Sequence, residues 1–474
     1  MSALCVYGVK EALYTSLEEW LKDNFLIFIE EASFSEFEHP LFHDPQVKIY
    51  LLNPYNEEET FKQIGWDFAF VPFSYEPSGE RGEYIFARIA FFQSGVELLT
   101  GDYRDFGETI LENVRKNMKL LPSASRGLAL SNAFVEIPAI ICGAGPSLVK
   151  NMAQLGGLLD RALIFAGGSA LKVLSDCQIR PHFGAGVDPT SYRERFLEQS
   201  AFEIPFFYQD RISKDLLSLV EGPLLWMPDT GAYSLERWVG EKLLSEKPFD
   251  SGWTVGNFCT AISLRLGCNP IIFVGMDLSP SDTRLYAPGV EGSSLSDRKD
   301  WIMSGHWTEE LVLQYPDRQF INATEGGRGF KGIEESSLES VTQKYLKKSF
   351  DLLSKIHVEL QRIEKIKLTE SAVADVWGLV EESLARCREK VSQLLTLMEE
   401  AYPHSPLEQA RFILFEYECE EELIYTHYLQ PLWNIWQPLF KRRRPELFKE
   451  PVSIKLNQLL FYQRSMENLW KDMK

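Results

Sequence analysis

The segment Pro138-Ala-Ile-Ile-Cys-Gly-Ala-Gly-Pro-Ser-Leu148 constrains the fold of this chain more than any other. Its apolar run reads as a buried strand. Gly143, Ala144 and Gly145 allow a tight turn and a close approach of an anion to the backbone. Pro146 suits the first position of a helix. The helix that follows presents free N–H groups and the positive end of its dipole, and Ser147 adds a hydroxyl. A strand handing over to a helix in this way is the building unit of parallel sheets. It is not the dinucleotide fingerprint: Leu148 stands at the third glycine, and the next strand ends in Ala166-Gly167-Gly168 instead of an acid. A lone glycine turn needs no ligand to explain it. Gly167, Gly168 and Ser169 repeat the pattern, however, and two permissive loops side by side suit a ligand lying across both.

The same alternation extends along the chain. Ala3–Tyr7, Phe25–Ile29 and Val47–Leu52 read as strands of a small N-terminal α/β domain, followed by a largely helical stretch from Glu83 to Leu120. Pro122–Arg126 reads as a hinge or linker. Further strand-like runs at 163–166, 183–187, 205–208, 224–227 and 271–274 predict a doubly wound, Rossmann-like α/β sheet, which binds ligands at the carboxyl ends of its strands. From about Glu334 the pattern is helical. Leu346, Phe350, Leu353, His357 and Leu360 form one apolar stripe, and Val373, Val376, Val380, Leu384, Cys387, Val391 and Leu394 a second. The expected domains are residues 1–120, 121–335 and 336–474.

With 474 residues, 45% hydrophobic, the chain can bury a sizeable core over two or three domains. A net charge of −19 argues against nucleic acid or an anionic membrane as a partner. Lys441-Arg442-Arg443-Arg444 is a local exception that reads as a solvated helix end. The seven cysteines form no C-x-x-C pair, so neither a disulfide framework nor a zinc site is expected. No apolar run reaches membrane-spanning length and no signal peptide is visible, which makes the cytoplasm the expected compartment.

Two acids close strands: Asp188 after Phe183-Gly-Ala-Gly-Val, and Asp277 after Ile271-Ile-Phe-Val-Gly-Met. Each could hold a metal, bind a sugar hydroxyl or act as a general base; each could equally cap the next turn. Ser251 and Thr254 precede a helix, where Thr254 is either a phosphate donor or an N-cap. Ser279–Gln319, with Tyr286, Trp301, His306 and Trp307, reads as mostly irregular, either a lid or a disordered stretch, and His306 is either an acid or base or a surface histidine. Glu325 and Arg328 share a glycine-rich loop, where Arg328 either serves a phosphate or carboxylate or forms a surface pair with the glutamate. His357 reads as core, and His182 is assigned no role.

Taken in order, Ile141–Leu148, Ile179-Arg-Pro-His-Phe with Asp188, Gly252–Val255, Leu266–Ile272, Gly275–Leu278 and Asn322–Gly327 resemble the motility-associated factor (Maf) glycosyltransferases. The same family domain takes in the MptE-like archaeal 6-hydroxymethylpterin diphosphokinases. The resemblance covers about residues 130–335 and implies a sialyltransferase-like core. For the Maf branch it implies transfer of a nonulosonic acid from a CMP-linked donor to a protein hydroxyl. For the pterin branch it implies pyrophosphate transfer from ATP with magnesium. Carried onto this chain, Gly143, Gly145 and Ser147 would hold the donor's phosphate, Asp188 and Asp277 would line the crevice, and Thr254 and Glu325 would complete it. The family's Gln and His are Met276 and Tyr286 here, so Tyr286 would donate a hydrogen bond to the departing phosphate. These departures also admit a third reading, a nucleotide-binding homologue without catalysis. The expected partners are a nucleotide-activated small molecule and a protein acceptor. No cofactor is demanded, and magnesium is the one the second reading admits.

Overall fold

Short runs of β-branched and aromatic residues, closed by glycine or polar residues, form two parallel sheets among the described residues. The computed structural model describes residues 2–8, 14–22, 24–31, 39–76, 79–190, 203–230, 233–279, 299–399 and 405–473. The chain divides into two compact units, Met1–Asp105 and Phe106–Lys474.

In the first unit β1 (Ala3–Tyr7), α1 (Tyr14–Leu21), β2 (Phe25–Glu31), β3 (Val47–Leu52), α2 (Glu57–Asp67) and β4 (Phe73–Tyr75) precede the long α3 (Gly79–Asn117), within which the two units divide. The sheet order is β3-β2-β1-β4, with every pairing parallel. Alternate residues feed opposite faces, as the two-residue period of a strand requires. Cys5, Ile27 and Ile29 pack with Phe61, Ile64 and Ile89; Leu4, Val6 and Phe28 pack with Leu17, Leu21 and Phe42.

The second unit is built on nine parallel strands: β5 (Ser125–Arg126), β6 (Ala139–Cys142), β7 (Leu163–Gly167), β8 (Phe183–Gly186), β9 (Phe206–Tyr208), β10 (Leu224–Trp226), β11 (Ile271–Val274), β12 (Phe320–Asn322) and β13 (Glu334–Glu335). Their order is β13-β12-β11-β6-β7-β8-β9-β10-β5. The chain steps outward from β6 to β10, then returns to the other side of β6 as β11. The order therefore reverses between β6 and β11, and a doubly wound sheet opens its crevice at such a point. Between the strands run α4 (Leu148–Leu155), α5 (Ser169–Asp176), α6 (Lys214–Leu217), α7 (Ser234–Leu244), α8 (Val255–Arg265) and α9 (Lys299–Gln314). Then follow α10 (Leu338–Tyr345), α11 (Leu352–Arg362), α12 (Glu370–Glu399), α13 (Pro406–Glu420), α14 (Gln430–Arg443) and α15 (Pro451–Met473). One face of the sheet buries Ile141, Phe165, Phe183, Phe207 and Phe273 against Phe258 and Ile262 of α8 and Leu352 and Ile356 of α11.

Three expectations need correction. Pro122–Arg126 is no linker, because Ser125 and Arg126 pair with Leu225 and Trp226 as the edge strand β5. Much of Ser279–Gln319 is the helix α9, with residues 280–298 outside the described residues. His357 is not core. The helical run breaks after Tyr345 and restarts at Leu352, which turns Leu352 and Ile356 inward and leaves His357 and Leu353 exposed. Among the described residues, no helix is long and apolar enough to cross a membrane.

Candidate functional site

At the reversal point the two strand ends are joined to each other. The Gly143 amide donates to the Val274 carbonyl at 2.9 Å and the Gly145 amide to the Gly275 carbonyl at 2.8 Å. A Cβ on Gly143 would lie 2.8 Å from the Met276 sulfur, and one on Gly145 would overlap the Asp277 carboxylate. Close approach of the neighbouring loop thus accounts for glycine at both positions. Ala144 sits half-buried between them.

The anion facing the start of α4 is the chain's own. Asp277 Oδ2 accepts from the Ser147 hydroxyl at 2.7 Å and from the Ser147 amide at 3.3 Å. This is the charge that a helix start favours. Asp277 is only 6% exposed. Burial pushes its carboxyl above the ordinary value, while both Ser147 bonds and Lys150 pull it back.

The loop after β12 closes over this pair. Arg328 donates its amide to the Asp277 carbonyl at 2.9 Å, and the close approach of Asp277 leaves no room for a Cβ on Gly327. Glu325 accepts from Asn151 at 2.8 Å and from the Leu338 amide at 3.0 Å, bracing α4 against α10. The Arg328 guanidinium is paired with Glu309 at 3.0 Å.

A second group of expected residues gathers at the starts of α5 and α8. Thr254 is the N-cap of α8, accepting from the Asn257 amide at 3.3 Å, and its hydroxyl also meets Ser304 at 3.0 Å. A Cβ on Gly167 would overlap Val255, so the end of β7 lies directly against the start of α8. Gly168 adopts φ +50°, and among the described residues nothing lies within 4 Å of where its Cβ would stand. Ser169 opens α5 and is buried. Met276 joins the two groups, since its sulfur would lie 2.7 Å from a Cβ on Gly256.

Asp188 follows β8 and is exposed; its carbonyl accepts from the Ser213 amide at 2.9 Å. Three strand spacings separate β8 from β11, so the strand ends that carry the two acids stand about 14 Å apart. Tyr286 lies outside the described residues. His306 sits on α9 with Nδ1 3.5 Å from Glu309.

The sequence reading missed the buried polar seam behind Thr254. Asn257, fully buried, donates to the Thr308 hydroxyl at 3.0 Å and the Ser304 carbonyl at 3.2 Å. Small polar residues at helical spacing in α9 were the signal, and an apolar-periodicity search passes over them.

Residues 108–283 match the family model described as 6-hydroxymethylpterin diphosphokinase MptE-like. Among solved structures, the chain is similar to a Maf glycosyltransferase from Magnetospirillum magneticum AMB-1, at 15% sequence identity and a TM-score of 0.52, over 99% of this chain and 82% of that one. No curated protein matches. By sequence in its central segment, and by fold along nearly its whole length, the chain is similar to the MptE-like and Maf proteins.

Proposed function

We propose that the protein is a Maf-like glycosyltransferase, moving a nonulosonic-acid-type sugar from a CMP-linked donor to a protein hydroxyl. The observation that carries this reading is Asp277. It is a buried carboxylate with a raised pKa, held by Ser147 at the point where the strand order reverses. Such a group is suited to take the proton of an acceptor hydroxyl. The hydroxyl oxygen attacks the anomeric carbon of the sugar, and the bond to the CMP phosphate oxygen breaks as CMP leaves.

The start of α4 already faces one carboxylate, and a second anion there would be repelled. The donor's phosphate goes instead to the turn Gly167-Gly168-Ser169 at the start of α5. There Gly168 leaves the space of a side chain, and the Thr254 hydroxyl is close by across Val255. Gly143, Ala144 and Gly145 form the adjoining wall. Glu325 and Arg328 act as positioning residues that clamp the loops around Asp277. In this reading Asp188 would meet a hydroxyl of the sugar, and both it and Tyr286 enter through the sequence alone.

The diphosphokinase reading is favoured by the family match to residues 108–283. It asks Asp188 and Asp277 for magnesium, and the residues do not fit one shared ion. Their strand ends are about 14 Å apart, and Asp277 Oδ2 faces hydrogen-bond donors.

Thermal-shift titration with CMP, a CMP-nonulosonate, ATP–magnesium and a hydroxymethylpterin separates the readings. Cytidine ligands should stabilise the protein without metal, and Gly168→Ala should abolish that gain. Asp277→Asn should keep donor binding and lose turnover by about 10²–10⁴-fold. Stabilisation by ATP–magnesium and pterin alone would replace this reading with the diphosphokinase one. Donor binding without turnover on any acceptor would leave a binding protein.

A further inference from the structure

The C-terminal helices hold two thiols that the transfer chemistry does not use. Cys387 lies on the buried stripe of α12 and Cys419 near the end of α13; they are 0% and 2% exposed. Their sulfurs are 3.1 Å apart. Polar clamps on both sides hold α12 to α13 and to the turn that follows it. Arg386 donates to Glu422 at 2.8 Å, Ser383 donates to Glu422 at 2.7 Å, and Lys390 pairs with Glu418. A disulfide bond is about 2.05 Å long, so the sulfurs need approach by only about 1 Å.

We propose that Cys387 and Cys419 are a redox site, closing to a reversible disulfide that staples α12 to α13 when the protein meets a peroxide. One thiolate attacks the peroxide O–O bond, expels hydroxide and becomes a sulfenic acid. The second thiolate attacks that sulfur and displaces a second hydroxide. Two thiols and one hydrogen peroxide yield one disulfide and two waters, and two electrons pass from sulfur to oxygen. At rest the pair is inert. The contact with Cys419, then burial, holds the Cys387 thiol far above its ordinary range, so the reactive thiolate forms in local openings of α13.

The test uses the full reduced chain in two arms. In one it is treated with hydrogen peroxide; in the other it is unfolded and refolded in oxidised glutathione, which removes the access barrier. Both are quenched with N-ethylmaleimide in denaturant and mapped by mass spectrometry. A Cys387–Cys419 peptide pair, two hydrogens lighter and released by dithiothreitol, is expected. It should come with a thermal midpoint raised by about 5 °C that oxidised Cys387→Ala does not show. Recovery of both cysteines as separate maleimide adducts in the peroxide arm overturns the proposal, whether or not the refolding arm joins them. So does oxidation confined to the exposed Cys177.

Discussion

Two buried carboxylates stand at the same edge of the nine-stranded sheet and are treated in opposite ways. Asp277, after β11, receives two donors from Ser147, and the loop after β12 folds over it. Asp210, after β9, is 2% exposed and receives one side-chain donor, Trp226 Nε1 at 2.7 Å, while its Oδ1 has no partner among the described residues. Around Asp210, Tyr208 OH, Gln209 Oε1 and Glu236 Oε1 are also buried with no hydrogen-bond partner among the described residues. Burial and the charge of Asp229 push Asp210 up to about 7 against the Trp226 bond, and push Glu236 well above its ordinary value. A sheet edge can thus place an acid as a finished hydrogen-bonded unit or as a cost carried by the fold. The first is the better candidate for chemistry on a substrate.

The sharpest way to break the Asp277 unit is to fill Gly145. A side chain there collides with the Asp277 carboxylate and with the Gly275 carbonyl 2.6 Å away, and neither can retreat without opening the β6–β11 junction. Gly145→Val should cost about 4 kcal/mol or prevent folding, measured by urea denaturation. A loss below about 1 kcal/mol would mean that the two loops are not packed together in solution.

The next effect belongs to the other acid and has the opposite sign. Asp210 has a raised folded pKa, so its favourable contribution is present below about pH 4, the unfolded value, and is lost as pH rises through about 7. Glu236 acts in the same direction. Asp210→Asn keeps an acceptor for Trp226 and removes the buried charge. Stability at pH 8 should rise by about 2–4 kcal/mol, with little change at pH 4. Denaturant curves at the two pH values decide it, and a mutant destabilised at pH 8 would show that the charge is compensated.

Much of this edge was legible in the sequence, and the reason it stopped where it did is physical. Ala139–Cys142 and Ile271–Val274 were recognised because fully buried parallel strands are continuous apolar runs. β5 was not, since its two residues pair only at the sheet edge and their polar side chains resemble a linker. Asp277 and Ser147 were both placed at the carboxyl edge, but they are 130 positions apart in the chain. Only the strand order, which sequence periodicity does not contain, brings one onto the other. The Asp210 group escaped altogether, because Gln209, Asp210 and Arg211 follow the strand-like run 205–208 without any motif to single them out.

The smallest expected effect tests the comparison most finely. In Asp277→Asn the Ser147 hydroxyl and amide still find an acceptor, so the hydrogen bonds at the start of α4 survive. The lost negative charge weakens its interaction with the helix dipole by about 0.5–1 kcal/mol. Relief from burying that charge offsets this, because burial is the largest influence on the Asp277 carboxyl. Stability at pH 8 should therefore change by less than about 1 kcal/mol in either direction, while Asp210→Asn gains several-fold more. Because the folded pKa of Asp277 is also raised, its small contribution likewise fades as pH increases, so the substitution should look slightly better at pH 8 than at pH 5. A loss of several kcal/mol at both pH values would make Asp277 an indispensable structural clamp, and the inactivity of Asp277→Asn could then no longer be read as chemistry.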